Sequence, residues 1–268
     1  MTSSAHEVPT SEARSNGVQS VLRAAQLLSA LRETHRGATL TELGEVTGLH
    51  KSTAHRLLAT LRETGFVRYL PVDGLYVLGT ELLRLGDAAR HQILPGAQAH
   101  TFLVALRDET GETVHLGVPD ESGLVYADKV ESTQAVRIAS RVGASMALHC
   151  TSLGKSYLAF QPQARIESFL AGAPFPVRTE RTITQAPKLR SELGRVRAQG
   201  YAIDDRENEE DMRCVAAPIL DSDGIALAAV SVSAPANRVP QSRIPALSEA
   251  VQRAAGAISA DVLGDGGA

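Results

Sequence analysis

Cysteine is scarce in this chain of 268 residues: Cys150 and Cys214 are the only two. Two thiols make no disulfide framework, and without a C-x-x-C spacing they announce no metal site. Long apolar runs are missing as well. No stretch approaches the ~20 residues that cross a bilayer, and the N-terminal MTSSAHEVPTSEARSNG lacks the apolar core of a secretory signal. A cytoplasmic protein with no membrane partner is the expectation. Nor is there an excess of positive charge: 27 Lys and Arg face 30 Asp and Glu, for a net charge of −3. That argues against a protein that coats nucleic acid over its whole surface. Residues 1–15 and 264–268 have little to bury and read as disordered tails.

The charge that is present lies unevenly. From Arg14 to Tyr76 eight Lys and Arg stand against five Asp and Glu, and the rest of the chain carries nineteen against twenty-five. A mildly basic N-terminal module on an acidic body fits a DNA reader joined to something else. In VQSVLRAAQLLSAL, Val18, Val21, Leu22, Ala25, Leu28 and Leu31 fall on one helical stripe. Thr39 opens a second helix through a T-x-x-E capping box with Glu42. Leu40, Leu43 and Val46 give that helix its inward face, and Gly48 stops it. A third helix runs from about His50 to Glu63 and buries Ala54, Leu57, Leu58 and Leu61. Its first two turns present Lys51, Ser52, Thr53, His55 and Arg56. Two helices joined by a short, glycine-containing turn make a helix-turn-helix, whose second helix enters the major groove by its N-terminal end. There Lys and Arg donate to guanine edges or phosphates, and Ser or Thr reaches phosphates or bases. The alternating runs FVRYL and LYVL around PVDG predict a two-stranded wing carrying Arg68, either on a phosphate or simply solvated. A helical protein-interaction domain whose charges only dissolve it is the other reading of these residues.

TELLRLGDAARHQI puts Leu82, Leu85 and Ala89 on one stripe and Leu83 off it. It reads as a linker helix, packed against a partner chain or against its own body. Beyond Pro95 the pattern mixes helices with strands. AQAHTFLVALRDETG is a helix ending at Gly111, and ETVHLGV and GLVYADKV pair across PDES. AVRIASRVGASMALH carries further strands, and TSLGKSYLAF starts a helix capped by Thr151 or Ser152. PKLRSELGRVRAQG is a helix begun by proline and ended by glycine, RCVAAPIL and IALAAVSVSA form a hairpin, and a long helix closes the chain. Hairpins with helices gathered at the ends predict an α+β domain on an antiparallel sheet.

Three places in this body offer a small-molecule pocket. At Thr151-Ser152-Leu153-Gly154 the free N–H groups of a helix start favour a carboxylate or carbonyl, or bind only water. Asp204 and Cys214 bracket the acidic run IDDRENEEDMRC, which also reads as a solvated loop with a small apolar filler after it. Ser231 and Ser233, two apart on a strand, share one face and line a pocket or a polar surface. A nucleophile built from Cys214 with His115 or His149 is a paper construction, because the histidines stand alone in sequence and nothing there activates the thiol. No enzyme, no cofactor and no metal site are expected; adjacent His149 and Cys150 would point to opposite faces of a strand.

VQSVLRAAQLLSAL, TLTELGEVTGLHKSTAHRLLATLRETGFV and MRCVAAPILDSDGIALAAVSVSAP together resemble the IclR family of bacterial transcription regulators, in order from about Gly17 to Ile258. One departure is His50, where many members have proline. The resemblance implies a winged helix-turn-helix over residues 16–79 and a linker helix over 80–94. A GAF-like effector-binding domain over 95–263 would follow. It implies a repressor, or an activator of the same architecture, that works as a homodimer or dimer of dimers on a near-palindromic double-stranded operator. It implies an effector site at Ser152, Leu153, Asp204, Cys214, Ser231 and Ser233, with Ile138 as an apolar wall. Such a site suits a small organic acid, a ureide of the allantoin type or an aromatic acid.

Overall fold

The computed structural model describes residues 18–93, 99–120, 123–134 and 140–264, and the chain divides between Ala89 and Arg90 into two compact units. The expected tails, 1–15 and most of 264–268, fall outside the described residues; Gly264 is the last residue of the closing helix.

The first unit holds α1 (Gln19–Arg32), α2 (Leu40–Thr47), α3 (Lys51–Glu63), β1 (Val67–Leu70), β2 (Leu75–Leu78) and the start of α4 (Glu81–Ile93). Thr39 caps α2 reciprocally: its hydroxyl accepts the Glu42 N–H at 3.2 Å, and its own N–H donates to Glu42 Oε2 at 2.8 Å. Gly48 ends α2 at φ +67°, a left-handed conformation that costs glycine little. His50 caps α3 where the family often has proline: Nδ1 accepts the Ser52 N–H at 3.4 Å and lies 2.8 Å from the Ser52 hydroxyl. β1 and β2 pair antiparallel from Val67↔Leu78 to Leu70↔Leu75, closing the wing.

Two inward faces differ from expectation. In α1 the buried side chains are Leu27 and Leu31, backed by Ala24 and Leu28, while Val18, Val21 and Leu22 are exposed. α1 is apolar on more than one side, so periodicity alone does not set its phase; packing against Leu43 of α2 and Ala54 and Leu58 of α3 does. Val46, read as inward on α2, is 75% exposed. An eight-residue helix seats one buried side chain, Leu43, and Val46, near its C-terminal end, lies outside that contact.

The second unit is built on one antiparallel sheet of order β5-β4-β3-β8-β7-β6, from β3 (Thr113–Asp120), β4 (Gly123–Val130), β5 (Ser145–Met146), β6 (Ala202–Asp205), β7 (Met212–Leu220) and β8 (Ala226–Pro235). Alternation gives each strand two faces. Val114, Leu116, Val215, Ala217, Val230 and Val232 face α5 (Ala99–Thr110) and α9 (Ile244–Gly264) and form the main core. The opposite face carries Tyr126, Ala216 and Ala229 against α6 (Ser152–Ala159), with α7 (Gln163–Leu170) and α8 (Ala186–Gln199) packed beyond it. The acidic run is not wholly a loop. It begins in β6, the edge strand, whose Asp204 pairs in register with Cys214 and is 3% exposed. No helix among the described residues is long and apolar enough to cross a membrane.

Candidate DNA-reading face and effector cavity

α3 owes its exposed face to its own spacing: Ala54, Leu58 and Leu61 are buried, leaving Lys51, Ser52, His55 and Arg56 outside with Thr53 half-buried. Its first turn has no acidic residue, so the positive end of the helix dipole is left for an anion. Lys51, Arg56 and, on the wing, Arg68 have no carboxylate partner among the described residues. Arg32, Arg36 and Arg84 of the same unit are paired with Glu33, Glu42 and Glu81.

The cavity of the second unit follows from register. Asp204 on β6 stands opposite Cys214 on β7, which stands opposite Ser233 on β8; one rung along, Ser231 stands opposite His115 on β3. Directly paired residues share a face, so all five meet under the N-terminus of α6. There Thr151 caps the helix through the Gly154 N–H at 3.0 Å, and the N–H groups of Ser152 and Leu153 have no acceptor among the described residues. Ser152, Leu153, Asp204, Cys214, Ser231 and Ser233 therefore line one cavity, with His115, Tyr126, Asn208 and Glu209 beside them. Its free space is about 30 Å³, roughly the share of one water molecule. Ile138 lies outside the described residues.

The cavity is acidic in character: Asp204 and Glu209 line it, and among the described residues no Lys or Arg does. Burial is the main reason the Asp204 carboxyl is pushed up to about 7. Two N–H groups, from Glu207 at 2.8 Å and Asn208 at 3.3 Å, pull the other way at Oδ1. Burial, with the Lys129 ammonium second, holds the His115 imidazole down at about 3, so it is neutral at physiological pH. Its Nε2 lies 2.7 Å from the Ser140 hydroxyl and its Nδ1 3.4 Å from that of Ser233. The Ser231 hydroxyl is buried with no partner among the described residues. Burial also pushes the Cys214 thiol up, with the Asp204 carboxylate second, so it stays protonated and is no nucleophile. Cys150 goes the same way, to about 12.

Two participants escape a reading of the sequence. His115 stands alone there, although Ser231 and His115 are partners across strands that only the fold brings together. Lys155, two residues after Leu153 on α6 and fully buried, pairs with Glu207 and, at 3.3 Å, with Glu192 of α8. The Glu207 peptide N–H is one of the two that hold Asp204, so a buried ion cluster backs the cavity wall. Among the described residues no group of three His, Cys, Asp or Glu could hold a metal ion.

Comparison with known proteins covers both units. Residues 20–71 match the IclR helix-turn-helix domain, and residues 89–260 match the family described as bacterial transcriptional regulator IclR C-terminal. The HTH-type transcriptional regulator XynR of Escherichia coli K12 is 35% identical over 242 residues, 90% of this chain and 96% of its own. The transcriptional repressor IclR of the same strain is 32% identical over 240 residues, 89% of this chain and 88% of its own. The crystal structure of the Thermotoga maritima IclR superposes with a TM-score of 0.76 at 33% identity, covering 90% of this chain and 98% of that one.

Proposed function

The chain belongs to the IclR family of DNA-binding, effector-controlled, non-enzymatic transcriptional regulators, and from that premise we propose that it is a cytoplasmic repressor of a catabolic or metabolic operon, released by a small organic acid or a ureide. α3 reads a near-palindromic operator through Lys51, Ser52, Thr53, His55 and Arg56, with Arg68 of the wing on the backbone. Two such modules come from a homodimer, or a dimer of dimers, with α4 as the connector. The apolar side chains Leu83 and Leu85, exposed on α4, support a partner chain there.

The observation that carries effector control is the buried, unpartnered Ser231 hydroxyl in a cavity that also holds two free helix N–H groups and a neutral-leaning carboxyl. A buried hydroxyl without a partner costs about 1–3 kcal/mol, and a ligand oxygen would remove that cost. A carboxylate or carbonyl of the effector sits on the Ser152 and Leu153 N–H groups. Asp204 faces a hydroxyl or N–H of the ligand, or donates its own proton, because a second anion against it would be costly. With about 30 Å³ free, the walls must part to admit a ligand. That links occupancy to conformation: an effector shifts the DNA-competent state only by its differential affinity for the two states.

A thermal-shift screen of the purified protein against small organic acids and ureides tests this reading. A ligand at a hundredfold over its Kd adds about 2.7 kcal/mol, a shift that is readily visible. The expected hit is lost in Asp204→Asn and cut to about half its size in Ser231→Ala, where a tenfold weaker Kd leaves about 1.4 kcal/mol. A hit that survives both variants places the ligand elsewhere and overturns the assignment. An activator of the same architecture would give the same screen, and a promoter-reporter assay with and without the protein separates the two.

A further inference from the structure

Arg23 lies on α1, not on the reading helix, yet it lines the same concavity as the reading residues. Gln19, Ser20 and Arg23 of α1 face Thr53, His55 and Arg56 of α3 across an open cleft of about 590 Å³. Among the described residues of this unit, four cations stand outside α3 and the wing. Three of them, Arg32, Arg36 and Arg84, have carboxylates at 3.0, 2.7 and 3.1 Å. Arg23 is half-buried and has none. A guanidinium held between two helices without a counter-charge, beside two further donors, His55 and Arg56, is placed for an anion that runs past all three.

We propose that Arg23 is a further DNA contact of this protein, made to the sugar-phosphate backbone at the rim of the groove that α3 enters. This role rests on α3 being the reading helix. The dimensions decide rim over floor. An α-helix with its side chains is ~10–12 Å across, and the major groove is ~12 Å wide, so α3 fills it and α1 is kept at the edge where the phosphates run. Arg23 also flanks mainly the later turns of α3, through His55, Arg56 and Thr60, with Thr53 alone from the first turn; Lys51 and Ser52 do not line the cleft. A phosphate contact carries affinity and register without sequence preference.

The test uses the full chain and a labelled duplex of about 30 base pairs of mixed sequence, with affinity followed by fluorescence anisotropy from about 50 to about 200 mM salt. Neutralising one phosphate-bound cation lowers the slope of log affinity against log salt by ~0.9, so Arg23→Gln loses roughly threefold less affinity per protomer across that range than the parent does. Arg23→Lys restores the slope, since a point charge suffices for phosphate. Arg36→Gln, which removes a cation already paired with Glu42, leaves it unchanged. An Arg23→Gln slope equal to the parent's overturns the contact, as does an equal drop in slope with Arg23→Lys, the mark of a packing role. A parent chain that binds the duplex without salt dependence fails the DNA reading itself and takes this proposal with it. A parent chain that binds an acidic peptide and not the duplex points the cleft at protein and likewise fails both.

Discussion

Asp204 shows what one residue contributes to the cavity and what it costs the fold. Folded, its carboxyl titrates at about 7; its ordinary value is 3.8. Between those values the folded chain holds a proton that the unfolded chain has released, so the stability tied to this group is greatest below about 4 and is lost as pH rises through about 7. At full extent the loss is on the order of 4 kcal/mol. Asn in its place still accepts the Glu207 and Asn208 N–H groups but does not ionise. Asp204→Asn is therefore expected to match the parent near pH 4 and to exceed it near pH 8 in urea unfolding; parallel curves at the two pH values would show that the carboxyl is not strained by burial. Ser231 makes the opposite point. Its hydroxyl has no partner to lose, so Ser231→Ala should leave unfolding within about 0.5 kcal/mol of the parent, or raise it, while weakening a bound effector about tenfold. A marked drop in stability of the free variant would reveal a hydrogen bond at Ser231 and remove the argument for a ligand there.

At the scale of elements, α6 is placed by Gly154. A Cβ there would meet Leu148 Cα at 2.5 Å and the Ala147 carbonyl oxygen at 2.6 Å, both backbone atoms that cannot step aside cheaply. Gly154→Ala should cost about 1–3 kcal/mol in thermal unfolding and displace the two free N–H groups from the cavity. A variant as stable as the parent would mean that the 147–148 segment gives way freely. What is legible in the sequence is what is decided locally. The Thr39–Glu42 box, the Gly48 stop, the Asp-Gly turn of the wing and both long hairpins depend on residues a few positions apart, and the chain folds as they indicate. What is not legible is decided at a distance. The phase of α1 depends on which of its apolar sides meets α2 and α3, and β6 looks like a solvated run until β7 pairs with it. α7 gives little signal of its own, being short and capped only by Pro162. Lys155 reads as an ordinary surface lysine; its partners lie 37 and 52 residues away. Breaking that cluster with Lys155→Met should cost about 3–5 kcal/mol, because Glu207 would stay buried without a cation, while Glu192 keeps Arg195. A melting temperature equal to the parent's would show the Glu207 carboxylate taking up a proton at no cost.

For the whole molecule, the question is how a chain with a single reading helix would engage the near-palindromic operator proposed for it. α4 is solvent-facing along most of its described length, with Leu83 74% and Leu85 47% exposed; on α1 Val18 and Val21 are 67% and 64% exposed. Single exposed apolar side chains are ordinary, but here they gather on two helices that belong, wholly or in part, to the unit that reads DNA. A second copy of the chain covering them would join two reading helices, and joining them turns the second half-site into an intramolecular step worth about 10²- to 10⁴-fold in affinity. Leu83→Glu combined with Leu85→Glu puts two carboxylates into that contact, where burying them unpaired is prohibitive. The double variant is expected to sediment as a smaller species and to lose operator affinity by a factor in that range. It should keep its thermal response to the effector, because every described residue lining the cavity comes from the other unit of a single chain. Loss of DNA affinity with the mass unchanged would place α4 against the operator. An unchanged mass with unchanged affinity would take the partner chain off this helix and leave the α1 face to carry it.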